Sequence, residues 1–569
     1  MSSVRTAFRN FIPAVIATML PVLAASAAQL PPIVGPTITI GQQGVATAEP
    51  LVPVPPTTPC VVKLYTADSP TGTFNDYSNH PFSYTPPSAC AGPWFKVVFK
   101  ADFNVTAGIQ YDRTATLWIG GVEFYFGTTQ EPSPEVSPSW HVERDVTNLS
   151  AALKSAQSGS VAVYNIVNDS YTGVITGSAE LDFYPVTPNS PAPAVANTVL
   201  SLGSDPVGNY DYINTDGTPL SKTLTLPTNI TQAYLDVVTE PQSGDEFWYT
   251  CGPEPYISIT GCGGTGFREA EIAIDGQPAG IAPISPWVYT GGIDPYAWSP
   301  VPGVQTLNFE PFTINLTPFA GLLNDGQPHT FAISVVTGDP GFQNNSQYFA
   351  TTANLRLFQD QGSAQVTGGL IGPVSDSGVH PGSQYGNTGS KYVMNAASTH
   401  DFTARGYVNT SQGKITTTVA EDARFNNHDV VINSNTEYAQ SVSLHSNTTA
   451  TTTTSTRQGT TTSTTQQSFP MQLSYTYAVN PDGSASQVTT VDQHLQGTNI
   501  PVAIGVAKYL DYHGNETDTL NFDAQGNFTG NSGQQATQSY VFKSLRCYSR
   551  EVDATAGAVT GVTDGAECQ

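Results

Sequence analysis

The chain has 569 residues, roughly three to four domains' worth, and sets 20 Lys and Arg against 45 Asp and Glu for a net charge of −25. That charge repels nucleic acid and anionic lipid headgroups, so neither is an expected partner. Thr, Ser, Gly, Pro and aromatics are abundant and Lys is scarce, the makeup of an all-β protein with short strands and many turns.

The first 28 residues read as a signal peptide. Arg5 and Arg9 give a basic start, Phe11 to Leu23 a short apolar run, and Ala25-Ser26-Ala27 a small-residue cleavage site. The run is too short to span a bilayer, and no later stretch approaches about 18 apolar residues. Membrane insertion is therefore not expected, and the mature chain is expected outside the cell or in the periplasm. In that setting six cysteines read as disulfides. Proximity along the chain pairs Cys60 with Cys90, Cys251 with Cys262, and Cys547 with Cys568. There is no C-x-x-C, and the histidines lack ligand spacing along the chain, so no metal or other cofactor is expected. A monomer is expected.

A Pro-rich lead-in precedes Cys60. Strand signals follow at Trp94–Lys100, Thr114–Ile119, Val122–Phe126, Ser160–Val167 and Ile175–Phe183, where apolar and polar residues alternate as in half-buried strands. A Pro-rich break over 185–193 closes a first β-sandwich, 29–190. Residues 191–361 repeat the plan. Arg113-Thr114 and Arg268-Glu269 each open a strand that ends at a Gly turn (Gly120-Gly121; Gly276). A helix-like turn with a Thr and a further strand come later in each copy. Two tandem antiparallel sandwiches are the expected result. Residues 362–390 are rich in Gly, Ser and Pro and read as a linker. Residues 391–569 form a β-rich C-terminal domain. Its Thr/Ser tract, Asn447–Ser468, reads as a flexible loop or a pair of polar surface strands.

The chemistry concentrates between Gly244 and Gly292. Asp245, Glu246, Arg268, Glu269 and Glu271 lie among Phe247, Trp248, Tyr249 and Phe267. Carboxylates beside aromatics suit sugar recognition, with rings stacking on C–H faces and acids binding hydroxyls or moving protons. The zinc-protease, nucleophile-elbow, phosphate-loop and dinucleotide motifs are absent. Carboxylate chemistry remains, with Asp112, Glu123, Glu131, Glu143, Asp245, Glu246, Glu269 and Asp294 as candidates.

Ordered motifs run through the first two thirds of the chain: Tyr111-Asp112-Arg113, Trp118-Ile119-Gly120-Gly121-Val122-Glu123, Glu131-Pro132, Asp245-Glu246-Phe247-Trp248-Tyr249, Phe267-Arg268-Glu269 and Gly291-Gly292-Ile293-Asp294-Pro295. In these stretches the chain resembles the plant, almond-type A group of peptide-N4-(N-acetyl-β-glucosaminyl)asparagine amidases. The resemblance implies jelly-roll-like sandwiches and hydrolysis of the amide joining an N-glycan to Asn, leaving Asp in the peptide. N-glycosylated peptides or glycoproteins would be its substrates. It also implies Asp112 as the central acid, with Glu246 or Glu269 as its partner. Arg113 and Arg268 would hold carboxylates or the carbonyl oxygen, and Trp118 and Trp248 would stack on the chitobiose core. Trp118 equally suits a core position in its alternating strand. Two rival readings remain: an endo-acting glycoside hydrolase cutting the chitobiose, also with two carboxylates, and a non-catalytic glycan-binding β-protein.

Overall fold

The computed structural model describes residues 32–214, 218–339, 342 and 347–568. The expected signal peptide, 1–28, lies outside the described residues. Among those residues no helix is long and apolar enough to cross a membrane.

Two sandwiches come first. In one sheet of the first, the strands lie in the order Cys60–Tyr65, Ile175–Pro185, Trp94–Val105, Ser139–Asp145. The facing sheet runs His80–Tyr84, Gln157–Val163, Thr114–Ile119, Val122–Thr128. The second sandwich has the same order in both sheets: Thr198–Ser201, Gln347–Gln359, Ile230–Ser243, Phe312–Asn315, facing Leu220–Thr225, Pro328–Thr337, Arg268–Ile274, Gln277–Pro283. These pairings are antiparallel. The helix-like turns of both copies are present, at Thr147–Leu153 and Thr317–Leu323.

Burial patterns tell the two kinds of strand apart. Pro328–Thr337 alternates, with His329, Phe331, Ile333 and Val335 pointing inward, as a strand with one solvated face does. Thr114–Ile119 and Val122–Thr128 are buried at every position. One face fills the first sandwich, where Leu117 and Phe124 join Phe99 and Leu181. The other face meets the second sandwich through an aromatic layer of Trp118, Phe126, Tyr210, Trp287, Tyr289 and Phe309.

The C-terminal part is a twelve-stranded antiparallel sheet with a small two-stranded ribbon, Ile500–Val502 and Gly505–Ala507, beside it. Its inner face packs Phe402, Phe425, Leu444, Met471 and Leu473 against the second sandwich. The stretch expected to be a linker, 362–390, belongs to this sheet. Thr367–Leu370, Ser375–Asp376 and Gly382–Thr388 all pair with Lys391–Thr410. Gly and Ser gave them no side-chain pattern to read, and backbone hydrogen bonding to a long neighbour holds them in place. The Thr/Ser tract forms the tip of the hairpin Glu437–Thr456/Gly459–Val479, where Thr451 meets Thr464 and Thr453 meets Thr462 through their hydroxyls. The Pro-rich lead-in crosses the far end of the same sheet. There Arg550 Nη1 donates to Pro36 O (2.5 Å) and Tyr548 Oη to Ala48 O (2.9 Å). The disulfides Cys60–Cys90, Cys251–Cys262 and Cys547–Cys568 are all formed.

Candidate active site

A cleft of about 660 Å³ opens above the aromatic layer where the two sandwiches meet. The first sandwich contributes Asp112, Arg113 and Thr114, at the entry to the strand Thr114–Ile119. The second contributes Gln242 at the end of Ile230–Ser243, and Glu246 just beyond it. Tyr77, Tyr164, Tyr210, Tyr212, Tyr289 and Tyr348 line the walls.

Asp112 is held from several sides. Gly291 N–H points at its Oδ2 at 3.4 Å, and its own N–H donates to Glu131 Oε1 at 3.1 Å. A Cβ on Gly291 would come within 2.1 Å of Glu131 Oε1 and 3.1 Å of Asp112 Oδ1. Only glycine lets the backbone close on this pair of acids. The loop bearing Gly291 is fixed on both sides. Thr290 Oγ1 donates to Thr129 O (2.7 Å) and Tyr289 Oη to Pro241 O (2.7 Å). From the long sheet, Gln493 donates to Pro286 O (2.8 Å), Gln487 to Ile293 O (2.9 Å) and Gln538 to Pro302 O (2.7 Å). An irregular buried loop needs such partners for its carbonyls. The C-terminal sheet thus serves the site by holding this loop.

Four carboxyl groups share the neighbourhood. Burial pushes Asp112 up to about 6, against the lowering effects of the Gly291 N–H and the Arg113 guanidinium. Burial and then the charge of Asp112 push Glu131 and Glu246 up to about 8. Glu240, fully buried beneath them, accepts from Thr114 Oγ1 at 3.1 Å, and burial raises it well above the usual range. Between about pH 6 and 8 Asp112 is therefore a carboxylate beside neutral Glu131 and Glu246. This is the separation that general acid–base chemistry needs.

The other expected site residues divide. Arg113 lines the cleft, with its guanidinium on Gln110 Oε1 (2.8 Å) and beside the Tyr111 ring. The remaining four lie elsewhere. Trp118 and Trp248 are completely buried, so neither has a face to offer a sugar. Trp118 belongs to the aromatic layer under the cleft, and Trp248 packs on Phe425 of the long sheet. Arg268 is buried with Asp245 at 2.7 Å and also donates to the carbonyls of Gly263, Gly264, Thr265 and Phe267. It organises the loop rather than facing the cleft. Glu269 bonds His400 Nδ1 at 2.7 Å, at the joint with the long sheet. Burial raises Glu269, while His400 opposes that shift. Of the two candidate partners of Asp112, the structure brings Glu246 to the cleft.

Two groups escaped the sequence reading. Glu240 had a signal: it is a carboxyl residue two positions after Val237-Val238 inside the strand Ile230–Ser243. The six cleft tyrosines come from five separate segments, which no local motif would gather.

A protein-family model described as peptide N-acetyl-β-D-glucosaminyl asparaginase amidase A matches residues 71–374. A curated relative from Prunus dulcis, peptide-N4-(N-acetyl-β-glucosaminyl)asparagine amidase A, is 28% identical over 374 residues. These make up 61% of this chain and 62% of the relative's length. Among solved structures, PNGase F, a glycosylasparaginase from Flavobacterium meningosepticum, aligns at 16% identity and TM-score 0.35, over 53% of this chain and 96% of its own. PNGF-II aligns at 14% identity and TM-score 0.35, over 53% of this chain and 66% of its own. The family match takes in Asp112, Glu131, Glu240 and Glu246 and spans more than half of the sequence, and the chain belongs to the peptide N-acetyl-β-D-glucosaminyl asparaginase amidase A family.

Proposed function

We propose that this chain is a secreted glycoamidase. It hydrolyses the amide between the core GlcNAc and Asn of N-glycosylated peptides, releasing the glycan as a glycosylamine and leaving Asp. The observation that carries this reading is the meeting of Asp112 and Glu246, one from each sandwich, in a polar cleft with Glu131 beside them. An amide needs a base to activate water and an acid for the departing nitrogen. Asp112, the most acidic of the set, takes the proton of the attacking water. Glu246, neutral until about pH 8, donates to the nitrogen. Glu131 holds the Asp112 backbone, and Tyr164, Tyr210, Tyr212 and Tyr348 give the sugar aromatic and hydroxyl contacts. Both sides of the cleft come from one chain, which supports a working monomer. The N-terminal pattern and three disulfides support action outside the cell.

The test is to incubate the protein with an N-glycopeptide near pH 7, within the window set by the acids, and weigh the peptide. A glycan-free peptide with Asn converted to Asp is expected. A peptide retaining one GlcNAc would make the protein a chitobiose-cutting glycosidase, and an unchanged glycopeptide would leave a binding protein.

The same acids set a pH dependence. Below about 6 Asp112 gains a proton and ceases to be a base; above about 8 Glu246 and Glu131 lose theirs and cease to be acids. A bell-shaped kcat/KM profile with limbs near 6 and 8 is expected, measured across about pH 4 to 10. Glu246→Gln should remove or displace the alkaline limb. A rate that peaks near pH 4 and has fallen away by pH 6 would refute this assignment.

A further inference from the structure

The long sheet carries a second cluster of chemistry-bearing side chains, unrelated to the cleft. Strands Ala485–Thr498 and Tyr509–Phe522 pair so that His494 lies directly opposite His513. Val491, Gln493 and Leu495 point to the buried face, so Asp492 and His494 point outward. The two imidazoles stack with centroids 3.9 Å apart and planes 3° from parallel. Asp492 Oδ1 lies 3.3 Å from His494 Nε2 and 3.5 Å from His513 Nε2.

Three features of this arrangement are those of a metal site. The first is spacing. A tetrahedral ion with nitrogen and oxygen ligands at about 2.0–2.1 Å sets those ligand atoms roughly 3.3 Å apart. The two separations from Asp492 Oδ1 fall near that value and are longer than hydrogen bonds of this kind, which cluster at about 2.7–2.9 Å. All three ligand atoms lie within 4.8 Å of one another. The second is orientation. Asp511 Oδ1 is 2.9 Å from His494 Nδ1. A carboxylate there accepts a hydrogen bond from Nδ1–H and leaves the Nε2 lone pair facing Asp492, as second-sphere carboxylates do for metal-bound histidines. Asn515 Nδ2 likewise donates to Asp492 Oδ2 at 3.1 Å, leaving Oδ1 for the shared point. The third is an unused ring nitrogen: His513 Nε2 is shielded from solvent and has no hydrogen-bond partner among the described residues. A second His-carboxylate cluster, around His400, lacks this feature. Glu269 and Asp376 occupy both of its ring nitrogens at 2.7 and 2.6 Å, which makes it a charge bridge.

We propose that Asp492, His494 and His513 bind one divalent transition ion of the zinc class, the two rings turning out of their parallel stack so that both Nε2 lone pairs converge on the ion, with Asp511 orienting His494 and a fourth position open to water. Such an ion would clamp the two strands, Gln493 of which holds the cleft loop from the opposite face. The proposal is independent of the amidase reading.

The experiment uses the full mature chain, purified without a histidine tag and stripped with chelator, titrated with Zn2+ by calorimetry and with Co2+ by visible absorption. One saturable equivalent of Zn2+ and tetrahedral-type Co2+ bands are expected. Both should be lost in His494→Gln and His513→Gln but kept in His445→Gln, an exposed histidine on another strand. Asp511→Asn should weaken binding by roughly 10- to 100-fold. Far-ultraviolet circular dichroism equal to that of the parent keeps the variants interpretable. Binding that survives His494→Gln together with His513→Gln, or no saturable binding at all, overturns the proposal.

Discussion

Replacing Asp112 with Asn is expected to lower kcat/KM on an N-glycopeptide by roughly 10²- to 10⁴-fold, the range that a positioned acid or base contributes. The exchange keeps size and shape, and the amide oxygen can still accept from Gly291 N–H, so glycopeptide binding should remain. What disappears is the group that ionises before its neighbours Glu131 and Glu246. Glu246→Gln should cost a comparable factor, because it removes the neutral acid on the facing side. Glu269→Gln is the informative contrast. That carboxyl spends its hydrogen bond on His400, so its loss should loosen the joint with the long sheet and leave kcat/KM nearly unchanged. Initial rates for the three variants, with binding measured on a glycopeptide that Asp112→Asn no longer cleaves, decide the matter. Near-parental turnover by Asp112→Asn, or a loss confined to Glu269→Gln, would move the chemistry out of the cleft.

The strands, the tandem plan and the three disulfides could be read from the sequence because they depend on short-range patterns: alternation, turn glycines and near cysteines. That Asp112 and Glu246 line one cleft was expected for a different reason, because both lie in stretches that resemble a family. The misplaced residues share a cause. Alternation tells which way Trp118 points within its strand but not that a second sandwich covers that side. Trp248, Arg268 and Glu269 lie in a stretch dense in aromatics and charge, which looks like a site. The third unit packs over that stretch, so Trp248 meets Phe425 and Glu269 meets His400, contacts between segments far apart in sequence. The proposed ion site at His494 and His513 meets the same limit. Ligand spacing along a chain finds helical or loop sites, whereas an antiparallel register brings together residues from two strands with no fixed interval. Glu240 was within reach, since a carboxyl beside the apolar Val237-Val238 of a long strand must either find partners or stay neutral.

Arg268→Met is expected to destabilise the fold by about 3–5 kcal/mol, the cost of leaving one member of a buried ion pair without the other. Arg268 and Asp245 are both fully buried at 2.7 Å, and Gln347 Nε2 adds a second donor to the same Asp245 oxygen at 2.5 Å. Removing the guanidinium strands the carboxylate and also unties four loop carbonyls, from Gly263 to Phe267. Asp245→Asn combined with Arg268→Met should recover part of the loss, because the charge goes with its partner and only the carbonyls stay unpaired. Urea unfolding of the parent, the single and the double variant reads this directly. A midpoint for Arg268→Met equal to the parent's would show that the pair contributes nothing. A double variant no better than the single would place the whole cost in the carbonyls. Activity should respond as well. Asp245 precedes Glu246 in the chain, and Asp245 N–H and Glu246 N–H bond to Gln242 O and Ser243 O in one tight turn. The buried pair therefore fixes where Glu246 enters the cleft, so kcat in the folded fraction of Arg268→Met should fall while Asp112 and its bond to Gly291 remain in place.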